Sequence, residues 1–125
     1  MDLDISDNSV GNEGADILAE VINETQLGHI KKLNLTNCKI DFKGFYQIIV
    51  SLESNKRLDI LNFSKNNLYS DKFPLLKPNL INCNLKELQL SKCKLGNDAC
   101  KNLIYKVFII ENFIIIIKFK LFFLL

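Results

Sequence analysis

The chain has 125 residues, of which 48% are hydrophobic and 24% are charged, and its formal net charge is +2. This length suits one domain, and the apolar content excludes an ordinary disordered tail. The near-neutral charge argues against a dedicated nucleic-acid binder, so no nucleic-acid partner is expected. The charge is unevenly spread, because residues 1–30 contain seven acidic residues and no Lys or Arg.

Four segments along the chain share one pattern of apolar residues. The first is short and runs over residues 3–10, and the others run over residues 30–40, 58–68 and 85–95. In each segment, apolar residues at alternating positions precede an Asn or a Cys. These turn residues are Asn8, Cys38, Asn66 and Cys93, at intervals of 30, 28 and 27 residues. The alternation predicts a short β-strand with one buried face, and the repeated interval predicts a parallel stack of such strands.

The recurring Asn or Cys is predicted to point inward and to bond with backbone groups of the turn that would otherwise be buried without partners. A helix is predicted after each turn. In three repeats a small residue lies four positions into that segment, which would let neighbouring helices approach closely; these residues are Gly14, Gly44 and Ala99. Asn12 and Asn97 are predicted to cap the first and last helices.

The third repeat departs from this pattern. Lys72 occupies the position of the small residue, and Pro74 and Pro78 follow within the segment that should be helical. Proline in a helix interior removes a hydrogen bond and clashes with the preceding turn. We therefore expect a short or distorted helix between about residues 71 and 81.

The 27–30-residue spacing and the Gly-Asn-Glu and Gly-Asn-Asp continuations at residues 11–13 and 96–98 resemble the ribonuclease-inhibitor-like class of leucine-rich repeats. The resemblance covers roughly residues 1–106. It implies an α/β fold: a right-handed βα solenoid of about four repeats, shaped as a partial horseshoe with a short parallel sheet on its concave side. It also implies a role in binding other proteins.

The strand alternation predicts which side chains this concave face would present. The residues predicted to contact a protein partner are Asp4, Ser6, Lys32, Asn34, Thr36, Ile60, Asn62, Ser64, Glu87, Gln89 and Ser91. A solvated sheet face, whose small polar residues simply suit exposed strand positions, explains the same pattern equally well.

Neither catalysis nor cofactor or metal binding is indicated. The four cysteines include no CxxC pair, the one histidine is His29, and no strained nucleophile turn of the G-x-S-x-G type occurs. The chain opens without a signal-like apolar stretch, so we expect a cytoplasmic protein whose buried cysteines are reduced.

The last segment, residues 107–125, is hydrophobic in 15 of its 19 positions and has no repeat pattern. Three interpretations compete for it. The first is a membrane anchor, which needs about 20 mostly apolar residues, whereas Glu111, Asn112, Lys118 and Lys120 interrupt this stretch. The second is a packed extension over the open end of the last repeat. The third is read-through into AT-rich non-coding sequence, because in residues 101–125 all types except Val107 and Glu111 have codons made only of A and T.

The sequence therefore predicts a non-enzymatic protein-interaction module in residues 1–106, with another protein as its partner. The alternative is a regulator of an enzyme or a GTPase, a role that ribonuclease-inhibitor-like repeats also serve. No arginine lies on the predicted concave columns, which gives this alternative less weight.

Overall fold

The computed structural model describes residues 1–24, 29–54, 57–97 and 99. Within them, short strands alternate with helical segments. The elements in chain order are β1 (Asp2–Asp4), α1 (Gly11–Asn23), β2 (Lys32–Asn34), α2 (Phe42–Ser54), β3 (Ile60–Asn62), a 3-10 helix (Phe73–Leu76), α3 (Lys77–Asn82) and β4 (Glu87–Gln89).

The four strands form one parallel sheet in the order β1-β2-β3-β4. The strand register aligns the central leucines, which are Leu3, Leu33, Leu61 and Leu88. Backbone hydrogen bonds continue this pairing beyond the strands at equivalent positions in each repeat. Their donors and acceptors are Ile5 N and Asn34 O (3.1 Å), Leu35 N and Asn62 O (2.8 Å), and Phe63 N and Gln89 O (2.9 Å). The predicted α/β fold with a short parallel sheet is confirmed.

The sheet buries one of its faces against the helices, as the alternation predicted. The central leucines of β2, β3 and β4 are buried, and so are the next inward residues, Leu35, Phe63 and Leu90. The core therefore lies between the sheet and the helical layer, and it continues from repeat to repeat.

Helices α1 and α2 pack closely through Gly44. A Cβ atom at this position would lie 2.6 Å from Asn12 Oδ1 and 2.9 Å from Ala15 Cβ, both on α1. The prediction that a small residue permits close helix approach is therefore confirmed at Gly44. At Gly14 a Cβ would instead meet the Val10 side chain, at the start of the same helix.

The predicted capping role of Asn12 is wrong. Helix α1 is preceded by Val10 without a side-chain cap, and Asn12 lies inside its first turn. Its Oδ1 instead accepts a hydrogen bond from the Asp41 N–H (3.1 Å), while Asp41 Oδ1 accepts one from the Lys43 N–H (2.8 Å) at the start of α2. Asn12 thus joins two repeats. Asn97 is itself helical, and residues 98 and 100 beyond it lie outside the described residues.

Asn66 connects the second and third repeats from a fully internal position. Its Oδ1 accepts hydrogen bonds from the N–H groups of Cys38 (3.0 Å) and Ile40 (3.1 Å) in the preceding repeat. Its Nδ2 lies within hydrogen-bond distance of three backbone oxygens, those of Leu35 (2.8 Å), Phe63 (2.9 Å) and Ser64 (3.2 Å). The predicted inward orientation of the turn residue is confirmed here, and one side chain satisfies backbone groups of two turns.

The cysteine repeats are joined differently. The Cys38 thiol donates to Ile5 O (3.3 Å) and the Cys93 thiol donates to Phe63 O (3.2 Å), in each case across to the preceding repeat. The backbone carbonyls of the same cysteines also accept hydrogen bonds from the preceding repeat. The Gly11 N–H donates to Cys38 O (3.0 Å), and the Leu68 N–H donates to Cys93 O (2.9 Å). The Asn66 turn and the two cysteine turns therefore join neighbouring repeats through different sets of hydrogen bonds.

The turns use left-handed backbone at recurring positions. The residue before each turn Asn or Cys has a positive φ of 53–59°; these residues are Asp7, Asn37, Lys65 and Lys92. Lys39 and Lys94, which follow the two cysteines, also have positive φ. Non-glycine residues rarely adopt this region, so the hydrogen bonds of the turns must hold it in place.

The expected irregularity of the third repeat is confirmed. Its helical segment is the four-residue 3-10 helix followed by the six-residue α3. Pro78 lies in the first turn of α3, where its missing N–H needs no partner, so it begins this helix.

An aromatic cluster fills the space beside this short segment. Phe73 is buried, with its ring centroid 6.2 Å from Phe45 and 5.8 Å from Phe42. Phe45 also lies 4.8 Å from Phe63, which replaces the leucine found at this strand position in the neighbouring repeats. Phenylalanines thus supply the volume that a longer helix would have contributed.

The predicted hydrophobic tail, residues 107–125, and most of the boundary segment before it lie outside the described residues. Among the helices that the structure describes, none is both long and apolar enough to cross a membrane.

Replacing Asn66 by alanine is expected to lower the free energy of unfolding by about 3 kcal/mol or more, because buried N–H and C=O groups of two turns lose their partners. Asn8 is the matched control, since it is exposed and, within the described part of the chain, its side chain donates to Ile5 O and Ser6 O of its own turn. Asn8→Ala should cost about 1 kcal/mol. Urea unfolding of both variants measures the difference, and equal losses would contradict the junction role of Asn66.

Replacing Phe73 by alanine should lower the free energy of unfolding by about 3–5 kcal/mol, because it empties the centre of the aromatic cluster. Leu75, two residues away, has 71% of its surface exposed, and Leu75→Ala should change stability by no more than about 0.5 kcal/mol. Thermal unfolding followed by circular dichroism compares the two. A small loss for Phe73→Ala would mean that the cluster does not support the third repeat.

Candidate functional site: the exposed strand face

The exposed side of the sheet presents three columns of side chains, which we call together the strand face. The strand register sets the order of residues in the first two columns, and the third follows two residues later in the turns. The first column is Asp2, Lys32, Ile60 and Glu87. The second is Asp4, Asn34, Asn62 and Gln89. The third is Ser6, Thr36, Ser64 and Ser91.

The side chains of the second column mainly form hydrogen bonds that close the turns. In each of the first three repeats its side-chain oxygen accepts a hydrogen bond from the N–H two residues later. The pairs are Asp4 with Ser6 (2.9 Å), Asn34 with Thr36 (3.0 Å) and Asn62 with Ser64 (3.1 Å). Short Asp and Asn side chains are suited to this bond, which explains their recurrence without any ligand.

The fourth repeat has Gln89 in this column, whose side chain is one methylene longer. Its Nε2 instead donates to Glu87 Oε1 (2.5 Å). The Ser91 N–H, which would otherwise lack a turn partner, donates to Ser64 Oγ (3.1 Å) of the preceding repeat. The Ser64 hydroxyl in the turn of the preceding repeat therefore replaces the turn bond that Gln89 does not make.

That bond also removes Ser64 from the predicted contact surface. Only 7% of Ser64 is exposed, and its hydroxyl serves the turn of the next repeat. Its assignment as a partner-contacting residue is corrected accordingly. Thr36 is half-buried, and its hydroxyl donates to Asn34 Oδ1 (2.6 Å). In the third column, therefore, fewer hydroxyl groups are exposed and available to a partner than the alternation predicted.

The side chains of the first column form few hydrogen bonds with the rest of the described chain. Among the described residues, the Lys32 ammonium forms no hydrogen bond or ion pair, and it is exposed. Ile60 beside it is half-exposed, and Glu87 follows with one bond from Gln89. Because neighbouring parallel strands lie about 4.8 Å apart, a cationic, an apolar and an anionic side chain stand side by side.

The first strand contributes the Asp4 carboxylate at the edge of this surface. Hydrogen bonds from the Ser6 hydroxyl and the Ser6 N–H hold the pKa of the Asp4 carboxyl below its ordinary value, and Asn34 Nδ2 also donates to it (3.2 Å). These hydrogen bonds favour the ionised form of the Asp4 carboxyl. The described residues contain no group of three or more His, Cys, Asp or Glu side chains placed to hold a metal ion.

The buried thiols behave as structural groups. Burial raises the pKa of the Cys93 thiol to about 11, and burial also raises the pKa of the Cys38 thiol. A thiol that stays protonated keeps its S–H available as a donor and is a poor nucleophile.

Sequence reasoning identified the members of the strand face but treated its columns as equal. The signal that separates them is present in the chain as an Asp or Asn followed two residues later by Ser or Thr, at residues 4–6, 34–36 and 62–64. That spacing is typical of side-chain-closed turns. It marks the second column as structural and leaves the first column as the better candidate.

Replacing Ser6 by alanine should raise the pKa of the Asp4 carboxyl toward its ordinary value, because the hydroxyl donor is lost. The stabilisation from this carboxylate is present above the ordinary aspartate pKa and is lost as the pH falls through the lower value of the folded chain. A carboxyl carbon NMR titration measures the shift. Ser9→Ala, at an exposed serine of the same turn, should leave it unchanged, and an unchanged pKa in Ser6→Ala would exclude this cause.

Comparisons with known proteins agree with this architecture. A family model described as Leucine Rich repeat matches residues 1–19 and 82–103. The chain is 35% identical over 104 residues to NACHT, LRR and PYD domains-containing protein 3 of Macaca mulatta and, to the same degree, of Homo sapiens. It is 31% identical over 105 residues to NACHT, LRR and PYD domains-containing protein 13 of Homo sapiens.

These matches cover 82%, 82% and 81% of this chain but only 10% of each relative. The chain thus spans about a tenth of the length of the curated relatives it matches. The parallel sheet, the recurring Asn and Cys turns and the two kinds of match together show that the chain belongs to the leucine-rich repeat proteins.

Proposed function

We propose that this chain is a non-enzymatic protein-interaction module that presents the strand face, as the concave surface of a solenoid, to another protein. Membership of the leucine-rich repeat proteins supports an interaction role in general. The strand face supports the particular surface, because its first two columns run in register across all four strands.

The single observation that carries the proposal is that Lys32, Ile60 and Glu87 are register partners, side by side on β2, β3 and β4. These side chains are not required for the turns, whereas Asp4, Asn34 and Asn62 are. A partner that fits them would place an acidic group near Lys32, an apolar side chain on Ile60 and a basic group near Glu87. Complementary charges of this kind determine orientation and specificity more than affinity.

A reducing compartment suits this module, and we assign it to the cytoplasm. Cys38 and Cys93 support this assignment, because their thiols donate to backbone carbonyls of the preceding repeats. Oxidation would remove these S–H donors. The alternative role, regulation of an enzyme or a GTPase, has no supporting observation on the strand face, whose three columns contain no arginine.

The double variant Lys32→Glu with Ile60→Ser is expected to weaken capture of the partner by about tenfold or more, equivalent to about 1.4 kcal/mol. Neither residue closes a turn, so the fold should be retained. The full chain serves as bait in lysate of the source cells, captured proteins are quantified by mass spectrometry, and circular dichroism checks folding.

The matched control is Lys94→Glu with Ile17→Ser. It makes the same change of charge and of apolar surface at exposed positions outside the strand face. If the control loses the captured protein while the strand-face variant keeps it, the interface lies on the helical side and the proposal is wrong.

A further inference from the structure

A groove on the helical side of the molecule lies between the first turns of α2 and the 3-10 helix of the third repeat. It has a volume of about 360 Å³, which is within the usual range of ligand-binding clefts. Its lining residues are Phe42, Lys43, Tyr46, Lys72 and Leu75. None of these belongs to the strand face, so the groove is a separate surface.

The groove exists because the third repeat departs from the pattern of the others. The position that is Gly44 in the second repeat, where α2 approaches α1, is Lys72 in the third. A lysine cannot enter such a close helix contact. At the other end of α2, Asn79 Nδ2 of α3 donates to Glu53 Oε1 (3.0 Å), which holds the two helices together there. At the start of α2 the segment contacts that helix through the Phe42 and Phe73 rings, and the groove opens on the outer side of this contact.

The floor and wall of the groove are apolar and aromatic. Phe42 is half-buried, with its ring centroid 5.8 Å from Phe73 in the core and 6.3 Å from Tyr46. Tyr46 is 37% exposed and Leu75 is 71% exposed, which makes them two of the few large apolar side chains that the described surface displays. Aromatic side chains anchored on a packed core are rigid, so contact with a ligand orders few rotamers.

The rim of the groove is cationic. Lys43 and Lys72 are exposed, and neither forms an ion pair with a carboxylate of the described residues. Asp41 and Asp71 neighbour them in sequence but do not line the groove, and Asp41 Oδ1 is engaged by the Lys43 N–H at the start of α2. Two lysines thus line an apolar cleft, and among the described residues neither ammonium group is held in an ion pair.

We propose that this groove binds an acidic segment of a partner protein, with one large apolar side chain in the cleft and carboxylates against Lys43 and Lys72. The cleft is too confined for a lipid surface, and two cations are few for a nucleic-acid backbone. The proposal is independent of the strand face, so the chain would hold two protein segments on opposite sides of its core.

The test uses the full chain and a short fluorescein-labelled peptide with one central leucine flanked by aspartates and glutamates. Fluorescence anisotropy should show saturable binding. Lys43→Glu with Lys72→Glu should weaken it by at least about tenfold, because attraction becomes repulsion. Leu75→Ser should weaken binding of this peptide but not the weaker binding of a peptide of equal charge with serine at its centre.

The control variant is Lys65→Glu with Lys92→Glu, which makes the same charge change at two exposed turn lysines outside the groove. It should bind the peptide nearly as well as the unmodified chain does. Equal losses in both lysine variants, an unaffected Leu75→Ser chain, or no saturable binding would each overturn the proposal. Tighter binding to anionic vesicles with the same sensitivity to Lys43 and Lys72 would do so as well, in favour of a membrane. Leu75 is exposed, so its substitution tests the groove without endangering the fold.

Discussion

The need to pair buried backbone groups where each strand ends is the constraint on which this structure depends. A parallel stack brings every turn against the turn of the next repeat, so N–H and C=O groups of both are removed from water together. Asn66 meets this need with one carboxamide, whose oxygen accepts from Cys38 and Ile40 and whose nitrogen lies within hydrogen-bond distance of the Leu35, Phe63 and Ser64 carbonyls. Hydrophobic burial of the leucines gives the stack most of its driving force, but these bonds determine how the repeats align.

Asn66 and the two turn cysteines pair these backbone groups in different ways. The Asn66 side chain accepts hydrogen bonds from N–H groups of the preceding repeat. At a cysteine repeat, the thiol gives one bond to a carbonyl of the preceding repeat, and the backbone carbonyl of the cysteine accepts an N–H from it. The extra left-handed residues, Lys39 and Lys94, occur only after the cysteines among the described turns. The alternation is therefore a difference in backbone path as well as in side-chain chemistry.

The third repeat shows how one departure from the pattern changes both packing and surface. Lysine at position 72 and the following prolines leave a short helical segment, and Phe63 and Phe73 fill the space behind it. The same departure leaves a groove on the outer side of the contact between Phe73 and the start of α2. The core compensates for the loss of helix internally, while the outer side retains an apolar cleft with a cationic rim.

Much of this architecture follows from local pattern. The alternation of leucines, the repeated interval and the turn Asn or Cys predict the parallel strands, their buried face and the irregular third repeat, because each depends on residue types within a short stretch of chain. The capping role of Asn12 could not be predicted correctly, since its actual partner, Asp41, belongs to the next repeat. The burial of Ser64 depends likewise on Ser91 in the next repeat.

The sequence by itself therefore determined the repeat, its strands and the list of exposed polar positions. Only the tertiary structure decided which of those positions are available to a partner and where a groove opens. The physical reason is that a side chain's freedom depends on hydrogen bonds and contacts with residues about 30 positions away, which are brought together by stacking.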